Sequence, residues 1–174
     1  MTSPVLGLDR TRVVVVPYHP GWPALFAEEA ARLRAALGGR ILSLEHVGST
    51  SVPGMDAKPI LDLTAGVESL AAAEALLPAL RELGYEDKPD PEIPERLYLV
   101  RGPAERRTHH LSLAEPTSAF WRRQLRFRDR LRADPALAAD YARLKHALAA
   151  RHPTDRVAYA AGKQPFIDAA VALP

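Results

Sequence analysis

The sequence predicts an α+β fold: a small mixed β-sheet with flanking helices and a helical C-terminal third. Three observations carry this. Two β-rich runs, Ile41–Val47 and Ile60–Val67, alternate cleanly in side-chain character and flank a loop holding two Gly and two Pro. Ala/Leu-rich helical stretches come before and after that pair. The last third reads as helices punctuated by Asp134-Pro135 and His152-Pro153. The full length of 174 residues is enough for one domain with a real core.

The elements follow in order. Residues 1–12 read as a polar lead-in. Val13–Val16 is a β-branched run closed by Pro17, which predicts a short strand. A turn-rich stretch with two aromatics, Tyr18 and Trp22, leads to a helix from about Pro23, since Pro suits a first turn. Leu25, Phe26, Leu33 and Leu37 give that helix an apolar stripe, and Gly38-Gly39 end it. In the first long strand Leu42, Leu44 and His46 share one face. In the second, Ile60, Asp62 and Thr64 share one face and Leu61, Leu63 and Ala65 the other. Glu68–Leu83 is expected to be one helix ended by Gly84. The Pro-rich acidic segment 86–95 is expected to be an exposed loop. Arg96–Val100 and Thr108–Leu113 should form a hairpin with a mobile tip. Helices are expected at about 117–133, 135–151 and 154–172.

Composition excludes several classes. With 47% hydrophobic and 25% charged residues the chain is globular, not disordered. No apolar run approaches the ~20 residues of a membrane span. The absence of Cys removes disulfides, thiol nucleophiles and thiolate metal sites. No signal-peptide pattern opens the chain, so a cytoplasmic location is expected by elimination. A net charge of +2 argues against nucleic acid as a partner, and oligomeric state is not legible.

Chemistry concentrates between Glu45 and Thr64. A strand delivers Gly48-Ser49 at its end, a loop follows, and the next strand presents Asp62. Gly lets backbone approach a phosphate closely, while Ser49 and Thr50 add hydroxyl donors. A strand carboxylate can hold Mg²⁺ against phosphate oxygens, and Lys58 supplies a point charge. The bland alternative is a Gly/Pro loop beside an exposed Asp.

The full string His46-Val-Gly-Ser-Thr-Ser-Val-Pro-Gly-Met-Asp-Ala-Lys-Pro-Ile-Leu-Asp-Leu63 resembles the GrpB family, within the nucleotidyltransferase-like superfamily. Val16-Pro-Tyr-His-Pro-Gly-Trp22, Thr108-His-His-Leu-Ser-Leu113, Phe127-Arg-Asp129, Leu144-Lys145 and Tyr159-Ala-Ala-Gly-Lys163 extend the resemblance over residues 13–168. It implies a nucleotidyltransferase-like fold and no settled reaction. Some relatives are similar to a domain appended to dephospho-CoA kinase, which points towards coenzyme A or nucleotide metabolism. Two departures stand out. Thr64 replaces the second carboxylate of the superfamily's Asp-x-Asp, and Ser112 replaces a His expected two residues after His110.

These readings yield a candidate site. Gly48, Ser49, Thr50, Lys58, Arg128, Lys145 and Lys163 would bind a nucleotide or other phosphorylated small molecule. Asp62 and His110 would be catalytic. Asp62, His46 and His110 would hold a divalent metal, Mg²⁺ or another. His46 could equally brace the loop. Arg128 sits amid apolar neighbours and needs a partner, expected to be distant since Asp129 should point elsewhere. Trp22 with Tyr18 reads as a packing clamp. Two further functions compete: a phosphate-ligand binding module without transfer chemistry, and an RNA- or protein-interaction domain using Arg122, Arg126 and Arg130.

Overall fold

Hydrogen bonding gathers the strands into one main sheet. Its members are β2 (Ser43–Val47), β3 (Leu61–Gly66), β4 (Tyr85–Asp87), β5 (Arg96–Arg101) and β7 (His109–Ala114), in the spatial order β2–β3–β7–β5–β4. The β3–β7 pair is parallel and the other three pairs are antiparallel, so the sheet is mixed. The α+β class and the mixed sheet match the expectation. The structure is a computed structural model and describes residues 6–9 and 11–172; residues 1–5, 10, 173 and 174 lie outside, including much of the expected lead-in.

Alternation along the strands gives the sheet two unlike faces. On one, Leu44, Leu61, Leu63, Ala65, Leu99, Leu111 and Leu113 form the main core. They pack under α1 (Trp22–Leu37), α2 (Leu70–Glu74) and α3 (Leu77–Glu82). On the other face, Asp62, Thr64, His110, Ser112, Arg96 and Tyr98 look towards the C-terminal helices α4 (Ala119–Ala133), α5 (Pro135–Arg151) and α6 (Arg156–Ala172). Those helices close on each other and on the 48–59 loop through a second cluster of Val52, Met55, Leu131 and Tyr141. Their starts follow from capping. Ser118 accepts from the Trp121 amide at 3.1 Å, and Asp134 from the Ala136 and Leu137 amides at 3.0 Å each, with Pro135 in the first turn.

Several expectations need correction. Val13–Val16 forms no strand; it is a strap fixed by a single bridge between Val16 and Ala57 and by the Val13 amide donating to the Pro153 carbonyl. The helix expected over 68–83 is two short helices, because Pro78 offers no amide to the Glu74 carbonyl. The loop at 86–95 begins inside β4, which pairs with β5 despite its polarity. The hairpin tip is not free: β6 (Arg106–Arg107) pairs with β1 (Leu8–Asp9), so the lead-in carries a strand. Trp22 meets Tyr18 edge-on at 5.4 Å and is 1% exposed, as expected of a packing clamp.

Candidate functional site

The register of β3 decides what can meet. Asp62 lies opposite Val47 on β2 and His110 on β7. His110 Nδ1 is 3.0 Å from Asp62 Oδ1; a carboxylate only accepts, so His110 is the donor and its Nε2 is left as an acceptor. Among the described residues no protein group bonds that Nε2. Gly48 closes β2 with φ 68°, the left-handed region that favours glycine. A Cβ there would also stand 3.0 Å from the Asp62 Cβ and Cγ, so only Gly lets the turn pass this carboxylate. The following turn, Ser49–Ser51, is braced by Ser51 Oγ donating to the Gly48 carbonyl at 2.6 Å.

Above this floor lies a hollow of about 270 Å³. It is lined by Gly48, Ser49, Thr50, Lys58, Asp62, His110, Lys145 and Lys163, which the sequence had proposed, and by Arg96, Tyr98, Ser112, Tyr141 and Tyr159, which it had not. The Asp62 side chain keeps 38% of its surface and His110 20%, so both reach solvent. The three lysines arrive from different elements yet crowd together. Lys58 Nζ and Lys163 Nζ lie 5.3 and 4.8 Å from the centre of the Tyr159 ring, and Lys145 Nζ 5.0 Å from that of Tyr141. Lys145 also donates to the Asp56 carbonyl.

Burial and mutual repulsion shape this charge. Burial first, then the neighbouring Lys163, pushes Lys58 down to about 8, against the pull of Asp62. Burial with Lys163 and Lys58 nearby pushes Lys145 down to about 7. Burial likewise lowers Lys163. For Asp62 burial acts to raise the carboxyl, but the His110 hydrogen bond and the charges of Lys58 and Lys163 outweigh it and hold it below its usual range. The hollow is therefore a cationic site with one ionised carboxylate. Arg96 forms its far wall, lying 4.2 Å from the Tyr98 ring centre and 5.1 Å from that of Phe120. It donates to Ser112 Oγ at 3.0 Å and to Asp90 at 2.5 Å.

Two proposed residues do not join. His46 lies on the opposite face of the sheet, since it pairs with Leu63 rather than Asp62. Its ring stacks on Phe26 at 4.7 Å, its Nε2 is 3.0 Å from Thr50 Oγ1, and burial pushes it down to about 4. It braces the loop and cannot share a metal with Asp62 and His110. Arg128 also stays outside the hollow. It donates to Glu45 at 2.6 Å, to Asp129 at 2.7 Å and to the His46 carbonyl at 3.1 Å, so both the distant carboxylate and the adjacent Asp129 engage it. It ties α4 to β2. Gly48, Ser49, Thr50, Lys58, Asp62, His110, Lys145 and Lys163 do come together.

The donor set fits a metal poorly. Among the described residues no three His, Asp or Glu side chains converge as a ligand group. Asp62 is the hollow's one carboxylate, it is shared with His110, and the position of a second carboxylate is held by buried Thr64. Two-ion chemistry needs more acidic ligands than this.

These features define an α+β protein whose sheet carries an apolar core on one face and a lysine-rich hollow on the other. The chain belongs to the GrpB family: the profile described as GrpB protein matches residues 12–172. Its fold is similar to the crystal structure of conserved protein GrpB from Enterococcus faecalis, at TM-score 0.84 and 37% identity over 91% of this chain and 95% of that one. UPF0157 protein PA4798 of Pseudomonas aeruginosa is 42% identical over 91% of this chain and 66% of its own length. A protein named dephospho-CoA kinase in Mycolicibacterium paratuberculosis is 36% identical over 91% of this chain but only 45% of its own length. The chain thus spans between about half and two thirds of these two relatives. Among the described residues no helix is long and apolar enough to cross a membrane.

Proposed function

We propose that the hollow between the Gly48–Ser49 turn and Asp62 binds a nucleotide or another phosphorylated small molecule, with nucleotidyltransferase-like chemistry as the enzymatic form of this reading. One observation carries it: half-buried Lys58 and Lys163 and buried Lys145 converge around one carboxylate. Holding mutually repelling ammonium groups there is costly until an anion offsets them. Ser49 supplies a further hydroxyl donor, while the Thr50 hydroxyl is spent on the Ile60 carbonyl at 3.3 Å. His110, oriented by Asp62 and open at Nε2, has the geometry of a general base. A Mg²⁺ ion would find only Asp62, so it suits this site as an ion carried in on phosphate oxygens. The relative named dephospho-CoA kinase makes coenzyme A precursors worth testing, and a cytoplasmic setting goes with such ligands.

The test is a thermal-shift screen of nucleotides and coenzyme A precursors with and without Mg²⁺. Ligands should raise the melting temperature of the wild type and lose most of that effect in Lys163→Met, which removes one of the three ammonium groups lining the hollow. No response to any phosphorylated compound, or an equal response in the variant, overturns the reading. Thr64 at the place of a second carboxylate favours a second reading, a binding module without turnover. Release of pyrophosphate from a nucleoside triphosphate would exclude that one.

A further inference from the structure

We infer that the ligand is a compact phosphate monoester of a polyhydroxylated molecule, bound without a protein-held metal: its phosphate sits on Lys58, Lys145 and Lys163, and its hydroxyls face Asp62 and His110. This rests on the reading that the hollow binds a phosphorylated molecule, and it narrows which one.

Size argues first. Pockets that enclose drug-sized ligands run from about 300 to 1,000 Å³, and this hollow holds about 270 Å³. A sugar-sized phosphate fills it; most of a nucleoside triphosphate or of a whole coenzyme would lie outside it. Charge argues second. A bound phosphate favours the protonated form of all three lysines, and three ammonium groups against the Asp62 carboxylate then leave two positive charges, which a monoester dianion balances. Arg96 adds no free charge, because Asp90 already pairs with it at 2.5 Å. A metal-free triphosphate would bring more negative charge than the site offsets.

The distribution of donors and acceptors argues third. The lysines gather beside Tyr159 and Tyr141. The sheet floor instead offers acceptors: His110 Nε2 and the Asp62 oxygen not spent on His110. Ammonium groups prefer phosphate oxygens, while these acceptors prefer hydroxyl donors. Ser112 and Thr64 on the same floor add short hydroxyls. The hollow is thus polarised, with an anionic head at one end and a hydroxylated body at the other.

Isothermal titration of the full chain in EDTA tests this with inorganic phosphate, ribose 5-phosphate, pyrophosphate and ATP as probes. Ribose 5-phosphate should bind at least about tenfold more tightly than inorganic phosphate and more tightly than pyrophosphate or ATP. Lys163→Met should weaken both phosphate and ribose 5-phosphate by about tenfold. Asp62→Asn, checked for folding by circular dichroism, should abolish the preference for ribose 5-phosphate while inorganic phosphate binds as well or better. A preference for ATP or pyrophosphate, a need for Mg²⁺, or a preference unchanged in Asp62→Asn overturns the inference while leaving phosphate binding in the hollow standing. Failure of all four probes to bind, in EDTA and in Mg²⁺, overturns both.

Discussion

Lys145→Met should make the protein more stable and the hollow less able to bind an anion. Lys145 is 2% exposed, and its ammonium falls from 10.5 to about 7. That depression corresponds to about 5 kcal/mol against carrying the charge inside the fold. Met has similar length, keeps the contact with Tyr141 and needs no counter-charge. It also leaves the Asp56 carbonyl without its donor, which costs about 1–3 kcal/mol. The net expectation at pH 6 is a gain of about 2 kcal/mol, or about 4–8 °C in melting temperature for a chain of this size. The sign with pH follows from linkage. Between about 7 and 10.5 the unfolded chain holds a proton on this lysine that the folded chain has released, so wild-type stability rises across that window. The advantage of Met is therefore greatest below pH 7 and vanishes towards pH 10.5, where only the lost hydrogen bond remains. Urea melts of both proteins at pH 6 and pH 10 measure this. A variant less stable than wild type at pH 6, or a gap that does not shrink by pH 10, refutes the reasoning.

Two other substitutions probe the frame of the site. Gly48→Ala should cost about 2–4 kcal/mol by chemical denaturation, since φ 68° strains an L-residue and its Cβ collides with the Asp62 side chain; the same variant should lose ligand-induced stabilisation. Arg128→Met should cost about 1–3 kcal/mol in urea melts by leaving Glu45 and the His46 carbonyl without their shared donor, yet change ligand affinity less than twofold, because Arg128 lies outside the hollow.

Local pattern carried much of this to the eye. Alternation in the two long strands put Asp62 and Thr64 on one face and Leu61 and Leu63 on the other, as found. Asp134-Pro135 and His152-Pro153 marked the breaks between the last helices to within a few residues. What stayed hidden depends on partners far along the chain. The pairing of His46 with Leu63, which removes it from the metal set, is a matter of register between strands rather than of either strand's composition. Arg96 and Tyr98 reach the hollow only because β5 pairs with β7 so that Tyr98 falls opposite Ser112. The polar β4 has no strand-like pattern and forms because the edge of β5 is there to receive it. The break at Pro78 lies inside an Ala/Leu-rich run whose composition by itself favours one continuous helix.

The two-sided sheet has an evolutionary consequence. Along β3 and β7, residues that build the cavity floor alternate one for one with residues that hold the molecule together: Asp62 stands between Leu61 and Leu63, which are 0% and 1% exposed, and His110 precedes Leu111 at 0%. Changes at the odd-numbered members of that series threaten folding, whereas their even-numbered neighbours can be exchanged at modest structural cost. Chains with this architecture can drift in what they recognise while their scaffold stays put.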